Sequence, residues 1–222
     1  ESFVVKRNTI LSVLLVLALG VLVTAVVLAA RPAPSDAQAG DAATSTGVVV
    51  REDSHRLSTA PQGAPVFVEF LDFECESCRA AFPTIEKLRA EYEGEVSFVI
   101  RYFPIDSHAN AMNAAKAVEA AAAQGKLEQM YTMMYETQPE WGEQQDSRAD
   151  LFREFAATLG LDLAAYDAAV ADPTTQARIE KDRQDGLALG VQGTPTFFLD
   201  GTMINPTSEE ELRAALDAAV AK

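Results

Sequence analysis

The pattern of apolar and polar positions in the middle of the chain predicts two buried strands joined by a helix. Residues 65–71 are mostly apolar and begin at a proline, which is typical of a strand covered on both faces, and residues 96–103 repeat this pattern. Between them, residues 77–92 place apolar side chains at helical spacing. The order strand, helix, strand predicts a parallel pair with a right-handed crossover. A valine run at residues 48–50 predicts a short edge strand.

The pattern changes to helical spacing for most of the remaining chain and returns to strands near the end. Residues 196–199 and 202–204, joined through Asp200-Gly201, predict a β-hairpin. A last helix is predicted over residues 208–220, with Ser208 and Glu211 spaced as a capping box. Five further helices are predicted before the hairpin, separated by Gly or Pro: residues 108–124, 127–137, 148–159, 163–171 and 174–189. The body is therefore an α/β fold in the order β-α-β, a helical insertion at about 107–189, then β-β-α.

The N-terminal part of the chain differs from this body. Residues 10–30 form a run of 21 uncharged, mainly apolar residues, which as a helix matches a hydrocarbon core of about 30 Å. We therefore predict a transmembrane anchor at 10–30. A cleavable signal peptide is the alternative, because residues 37–39 (AQA) resemble a cleavage pattern. Lys6 and Arg7 before the run, against Arg31 alone after it, predict a cytoplasmic segment at 1–9 and an extracytoplasmic body.

The segment between this apolar run and the body has the composition of a flexible linker. Residues 31–47 are rich in Ala, Pro, Ser, Asp and Thr and contain no large apolar side chain. The body at 48–222 is long enough to bury a core without disulfide bonds. The chain carries a formal charge of −15 and no cluster of Lys or Arg, which argues against nucleic acid as a partner.

The only two cysteines, Cys75 and Cys78, lie three positions apart where a predicted strand meets a predicted helix. They could be a structural clip, half of a metal site or a redox pair. The length of the chain weakens the first interpretation. Zinc needs three or four ligands, and the only histidines, His55 and His108, lack the usual paired spacing, so we predict no metal site.

A redox pair accounts for more of the local pattern. A cysteine at the start of a helix meets the positive end of the helix dipole and free backbone N–H groups. That environment lowers the pKa of the thiol and makes the thiolate of Cys75 available for attack on a disulfide. Cys78, one turn further along the helix, can then close the ring.

Three segments of the body resemble the DsbA-like thiol:disulfide oxidoreductases, which have a thioredoxin fold with an inserted helical domain. Residues 67–78 (FVEFLDFECESC) resemble the strand that leads into the active-site CxxC, residues 193–198 (GTPTFF) the cis-proline segment, and residues 102–105 (YFPI), followed by His108, the strand exit of Gram-positive and actinobacterial members. The resemblance implies that Cys75 is the nucleophile and Cys78 the resolving thiol. It also implies a cis peptide bond at Pro195, with the backbone of Thr194 facing an extended substrate.

Other positions near the cysteines are candidates for tuning or binding. Glu69 occupies the place where thioredoxin-fold enzymes often bury an acid that moves protons to and from the resolving thiol; a solvated Glu is the alternative. Phe73 is a candidate hydrophobic lip for substrate, and His108 a candidate to line the groove. The dipeptide Glu76-Ser77 tunes the redox poise. Because Glu76 and the acids before Cys75 repel a thiolate, we predict a less depressed Cys75 pKa than the extreme of about 3.5.

The sequence therefore predicts a membrane-anchored, extracytoplasmic dithiol oxidase that forms disulfide bonds in unfolded exported proteins. The resemblance implies no cofactor beyond the Cys75–Cys78 disulfide, and a membrane quinone-linked reoxidant of the DsbB or VKOR type. Two alternatives remain. One is a reductase or isomerase, for example in cytochrome maturation; the other is a non-catalytic binding or chaperone module that keeps the fold.

Overall fold

The computed structural model describes residues 47–222, and these contain a five-stranded sheet and seven helices. The predicted segments 1–9 and 10–30 and nearly all of the predicted linker lie outside the described residues. Within residues 47–222, no helix is long and apolar enough to cross a membrane. The elements in chain order are β1 (His55–Ser58), β2 (Val66–Leu71), α1 (Glu76–Glu91), β3 (Ser97–Tyr102), α2 (Ala111–Ala122), α3 (Leu127–Trp141), α4 (Ala149–Thr158), α5 (Leu163–Ala171), α6 (Pro173–Ala188), β4 (Thr196–Leu199), β5 (Thr202–Ile204) and α7 (Glu209–Val220).

The sheet has the strand order β1-β3-β2-β4-β5. Strands β2 and β3 run parallel, as the β-α-β pattern predicts, and the other three pairs are antiparallel. The predicted hairpin is confirmed, with Phe197 opposite Ile204. The five predicted helices between β3 and β4 are present, from Ala111 to Ala188. The sheet and helices therefore follow the predicted β-α-β, helical, β-β-α order.

The alternation along β2 assigns its side chains to two cores. Phe67 and Leu71 belong to the larger core, which also contains side chains of α1, α7 and the helices between β3 and β4. Val68 and Phe70 belong to a smaller core on the other face of the sheet. Because successive strand residues point to opposite faces, Glu69 shares the face of Phe67 and Leu71. That face also carries the active-site helix α1.

The predicted edge strand at residues 48–50 is wrong, and the polar segment after it forms the edge strand β1 instead. The carbonyls of Val48 and Val49 accept hydrogen bonds from the guanidinium of Arg101, at 2.7 and 2.8 Å, so a neighbouring strand does not pair with them there. Arg101 is fully buried and also pairs with Asp182 and Asp185 of α6. This buried ion cluster ties the start of the body to β3 and α6.

Two helix ends differ in detail from the sequence prediction. Helix α3 continues through Pro139 to Trp141, beyond the predicted end at residue 137, and Trp141 is fully buried. At α7, Ser208 accepts a hydrogen bond from the Glu211 N–H at 3.2 Å, as the capping box predicts. The carboxylate of Glu211 instead accepts from the Thr207 N–H at 2.6 Å. The second hydrogen bond of the capping box therefore comes from the N–H of Thr207 and not from that of Ser208.

Candidate active site

The cysteine pair lies where β2 ends and α1 begins. Cys75 is the N-cap residue of α1, with φ −69° and ψ 120°, and Cys78 lies within the first turn of the helix. Both cysteines are free thiols. Cys75 is 7% exposed, whereas Cys78 is completely buried. Cys75 is therefore the cysteine that a partner at the surface can reach, whereas Cys78 is enclosed by the protein.

The surroundings of Cys75 favour its thiolate. Its pKa is lowered from 9.0 to about 5, chiefly by a hydrogen bond from the Cys78 thiol and, against the cost of burial, by the Thr194 hydroxyl and the backbone N–H groups of Cys78 and Ser77. These donors lie at the N-terminus of α1, where a negative charge is favoured. The thiolate that the sequence predicts at the helix start is therefore stabilised by a specific set of hydrogen-bond donors.

The expected repulsion from nearby acids is weaker than the sequence suggests. Glu76 is exposed to water, which screens its charge. Glu74 is buried, but its carboxylate accepts hydrogen bonds from the N–H groups of Asn110 and Glu143, at 2.6 and 3.1 Å. Hydrogen bonds to Cys75 outweigh both acids, and its pKa of about 5 still lies above the extreme value of about 3.5.

Cys78 has the opposite character. Burial and the hydrogen bond that it makes to Cys75 raise the pKa of Cys78 well above 9.0, and Glu69 adds to this effect. At neutral pH the reduced pair therefore consists of a Cys75 thiolate and a Cys78 thiol. Such a division of charge is what a nucleophilic sulfur and a resolving sulfur require.

Glu69 is a buried acid on the same side of the sheet as Cys78. It is 2% exposed, so the alternative of a solvated Glu is wrong. Burial raises its pKa to about 8, with smaller contributions from the charges of Cys75 and Glu86. Glu69 is therefore mostly protonated at neutral pH and can act as a proton donor.

The Thr194–Pro195 peptide bond is cis, as the resemblance implies. The Cys75 sulfur lies 3.3 Å from the carbonyl oxygen of Thr194, to which the neutral thiol donates a hydrogen bond, so this loop lies directly against the sulfur. The buried hydroxyl of Thr194 has no hydrogen-bond partner among the described residues, which leaves it free to donate to a Cys75 thiolate. Residues far apart in the chain thus meet at Cys75.

His108 is held beside the cysteine loop by Asp72. The Nδ1 atom of His108 lies 2.7 Å from Oδ2 of Asp72, which also accepts a hydrogen bond from the Ile105 N–H. The other carboxylate oxygen of Asp72 accepts from the Glu74 N–H. Asp72 raises the pKa of His108, with smaller effects from Glu74 and Cys75. The side chain of His108 is 29% exposed. It lies near the site, but in this arrangement it orders the loop with Asp72.

Phe73 is not a hydrophobic lip, because it is 1% exposed. Its ring packs in an aromatic cluster with Tyr135, at 5.2 Å between ring centroids, and with Tyr102 and Tyr131. The prediction that Phe73 contacts substrate is therefore wrong. Its apolar side chain is needed inside, where the loop before Cys75 packs against α3.

Gln138 is a residue of the site that sequence reasoning missed. Its Nε2 donates hydrogen bonds to the carbonyls of Phe73 and Cys75, at 2.7 and 3.0 Å, and the residue is 3% exposed. The available signal was a polar residue on the apolar face of a helix: Gln138 follows Tyr131 and Tyr135 at spacings of seven and three. Pro139 suggested that the helix ends before it, so Gln138 was not assigned to a helix face.

The two histidines do not join the cysteines in a metal-binding arrangement. His55 pairs with Glu119 at 2.6 Å, and His108 pairs with Asp72. Among residues 47–222 there is no group of three or more His, Cys, Asp or Glu arranged to hold a metal ion.

A thioredoxin-type sheet, a CxxC at a helix start and a cis-proline loop against the first sulfur together define the class of the thiol–disulfide oxidoreductases. A family model described as Thioredoxin matches residues 60–218. The chain therefore belongs to the thioredoxin family.

Solved structures share this fold. A thioredoxin-like oxidoreductase from Silicibacter pomeroyi matches with a TM-score of 0.65 and 25% identity, over 78% of this chain and 95% of that one. The alpha-DsbA1 protein of Wolbachia pipientis matches with a TM-score of 0.67 and 18% identity, over 78% and 94%. BdbD from Bacillus subtilis matches with a TM-score of 0.62 and 21% identity, over 73% and 91%.

Similar curated proteins are named as ion antiporters. The Na(+)/H(+) antiporter NhaA 3 of Salinispora tropica is 37% identical over 201 residues, which are 87% of this chain and 30% of that protein. The Na(+)/H(+) antiporter NhaA 1 of Mycobacterium sp. strain KMS is 33% identical over 146 residues, which are 64% of this chain and 22% of that protein. The chain thus spans less than a third of the length of these relatives.

Proposed function

We propose that the chain is a membrane-tethered, extracytoplasmic thiol:disulfide oxidase that forms disulfide bonds in exported proteins. The observation that carries this proposal is the asymmetry of the two thiols, with a Cys75 pKa of about 5 and a Cys78 pKa raised by burial. A stabilised Cys75 thiolate favours the reduced form of the pair, so the disulfide form tends to pass its bond to a substrate. This asymmetry favours an oxidase over a reductase.

In the oxidising half of the cycle, a substrate thiolate attacks the sulfur of Cys75 in the Cys75–Cys78 disulfide. The bond between the two sulfurs breaks, its electron pair leaves with Cys78, and a mixed disulfide joins Cys75 to the substrate. A second substrate thiolate then attacks the substrate sulfur of this mixed disulfide and releases the Cys75 thiolate. The substrate loses two electrons, and the cysteine pair gains them.

Glu69 is the group that we assign to the proton of Cys78. With a pKa of about 8, Glu69 is mostly protonated at neutral pH and can pass its proton to the Cys78 thiolate as that thiolate forms. When the pair is oxidised again, Cys78 attacks a mixed disulfide at Cys75 and its proton returns to the Glu69 carboxylate. The proton therefore balances over the full cycle.

Two surfaces of the domain suit an extended polypeptide, and the first of them contacts Cys75. The backbone of Thr194, before the cis bond to Pro195, is the element that we assign to pairing with a substrate strand. A hollow of about 210 Å³ lies between α1, β4 and the start of α7, and its apolar lining includes Ala81, Ile85 and Phe197. An unfolded protein can offer both an extended backbone and apolar side chains to these surfaces.

The proposed location and partners follow from the sequence and from the relatives. The apolar run at residues 10–30 supports a single-pass anchor with the cytoplasmic segment 1–9 before it. The relatives' name, sodium–proton antiporter, is that of a membrane activity, which also supports action at a membrane. A membrane quinone-linked enzyme of the DsbB or VKOR type is the proposed reoxidant, and the disulfide itself is the only redox group required.

The test is to trap substrates on the full chain in its native membrane. The Cys78→Ser variant should accumulate mixed disulfides on Cys75, and the matched Cys75→Ser variant should accumulate none. In parallel, the oxidised protein should speed oxidative refolding of a reduced protein more than its reduced form speeds insulin reduction. Faster insulin reduction would support the reductase or isomerase instead. If the Cys75→Ser variant keeps full function, only the alternative of a non-catalytic binding or chaperone module remains.

A further inference from the structure

Helix α3 presents one polar contact to the active-site loop from an otherwise aromatic face. Tyr131, Tyr135 and Gln138 lie on this face, and all three are buried. Both Nε2 hydrogens of Gln138 are used: one is donated to the Phe73 carbonyl at 2.7 Å and the other to the Cys75 carbonyl at 3.0 Å. A single side chain of the helical insertion thus holds two peptide groups of the loop that carries the nucleophile.

The Cys75 carbonyl is part of the start of helix α1. It also accepts the hydrogen bond from the Arg79 N–H at 3.1 Å, the first of the helix. Cys75 occupies the N-cap position of α1. Gln138 holds the backbone there through two hydrogen bonds, one at this carbonyl and one two residues earlier, at the carbonyl of Phe73.

This conformation controls the donors around the sulfur. The N–H groups of Ser77 and Cys78 favour the Cys75 thiolate, and they point toward the sulfur only while Cys75 stays at the N-cap. A loop released at its carbonyls could rotate, which would move the sulfur away from these N–H groups. The hydrogen bonds of Gln138 oppose that rotation.

We propose that Gln138 is a positioning residue for the nucleophile, through which the helical insertion sets the reactivity of Cys75. This inference rests on the proposed function, because it concerns the same sulfur. Gln138 does not touch the reacting atoms. It acts on the backbone that aims helix α1 at them.

The test is a Gln138→Met variant of the full chain, which keeps the length of the side chain and removes both donors. The pKa of Cys75 is measured from thiolate absorbance at about 240 nm and from alkylation rates against pH. We expect the pKa to rise by about one pH unit, the equivalent of a typical hydrogen bond. At about pH 5 the alkylation rate should then fall roughly fivefold, because the thiolate fraction falls from about a half to about a tenth.

Thr137→Val is the matched control. Thr137 is the neighbouring residue on α3, and its hydroxyl bonds only Met133 and Trp141 of the same helix. The control should lose stability without any change in the Cys75 pKa. If the Cys75 pKa is about 5 in the wild type and the same in Gln138→Met, the inference about Gln138 is overturned but the proposed function is not. A wild-type Cys75 no more reactive than a free cysteine would overturn the proposed function and the inference together.

A measurement on the wild-type protein covers the case in which Gln138→Met does not fold. The side-chain amide resonances of Gln138 should shift across the titration of Cys75, because the carbonyls that they bond respond to the charge on the sulfur. Resonances that stay constant through that titration would show that Gln138 is only a packing residue, and would overturn the inference.

Discussion

Replacing Glu69 with Gln should stabilise the protein in a way that depends on pH. Burial raises the folded-state pKa of Glu69 from 4.5 to about 8. A group whose pKa is raised on folding favours the folded state below its unfolded pKa, and this contribution is lost as the pH rises toward the folded value. The contribution of Glu69 to stability is therefore lost between about pH 4.5 and about pH 8. Above this pH window, the charged carboxylate opposes folding.

The magnitude follows from the width of that window. Each unit of pKa difference is worth about 1.4 kcal/mol, so at pH 7 the buried carboxyl costs on the order of 3 kcal/mol relative to acidic pH. The glutamine side chain of the variant would carry no such cost, because an amide does not ionise. The Glu69→Gln variant should therefore gain about that much stability over the wild type between about pH 4.5 and pH 7.

The assay is urea unfolding of both proteins at several pH values across this window, with Cys75 and Cys78 kept as a disulfide so that neither thiol titrates. Glu93→Gln is the matched control, because Glu93 is exposed in a turn. It should leave the pH dependence of unfolding unchanged. A wild-type and Glu69→Gln pair whose stability difference is the same at every pH would refute the argument that Glu69 is buried as a neutral acid.

Three further changes test other parts of the structure. Arg101→Met removes a fully buried cation and leaves Asp182 and Asp185 of α6 with only the partly exposed Arg178 and Arg51 as partners, so denaturant unfolding should show a loss of about 3–5 kcal/mol. Asp72 raises the pKa of His108, so His108→Ala should cost stability at acidic pH and progressively less as the pH rises through neutrality; a constant loss in thermal unfolding would contradict the ion pair. A Cβ at Gly186 would lie 2.7 Å from the ring of Phe103, so Gly186→Ala should lower the unfolding free energy by about 1–3 kcal/mol, and an unchanged midpoint would contradict this close approach.

Much of the fold was predictable because its signals are local. The apolar run of β2, the helical spacing between β3 and β4 and the Asp200-Gly201 turn each depend on neighbouring residues, and each element was placed within a few positions. The prediction of an edge strand at residues 48–50 was wrong because its outcome depends on a distant residue. The valines suit a strand, but Arg101, some fifty residues away in the chain, donates hydrogen bonds to the carbonyls of Val48 and Val49.

The sequence by itself determined the chemistry of this protein: two cysteines at a helix start, and a Thr-Pro pair in a segment that resembles a cis-proline loop. Only the tertiary structure decided how that chemistry is tuned. It showed that Glu69 is buried, that Phe73 is inside and that Gln138 reaches the loop of Cys75. The physical reason is that burial and hydrogen bonding between distant segments set both desolvation and donor geometry, and neither quantity is encoded in the spacing of residues along the chain.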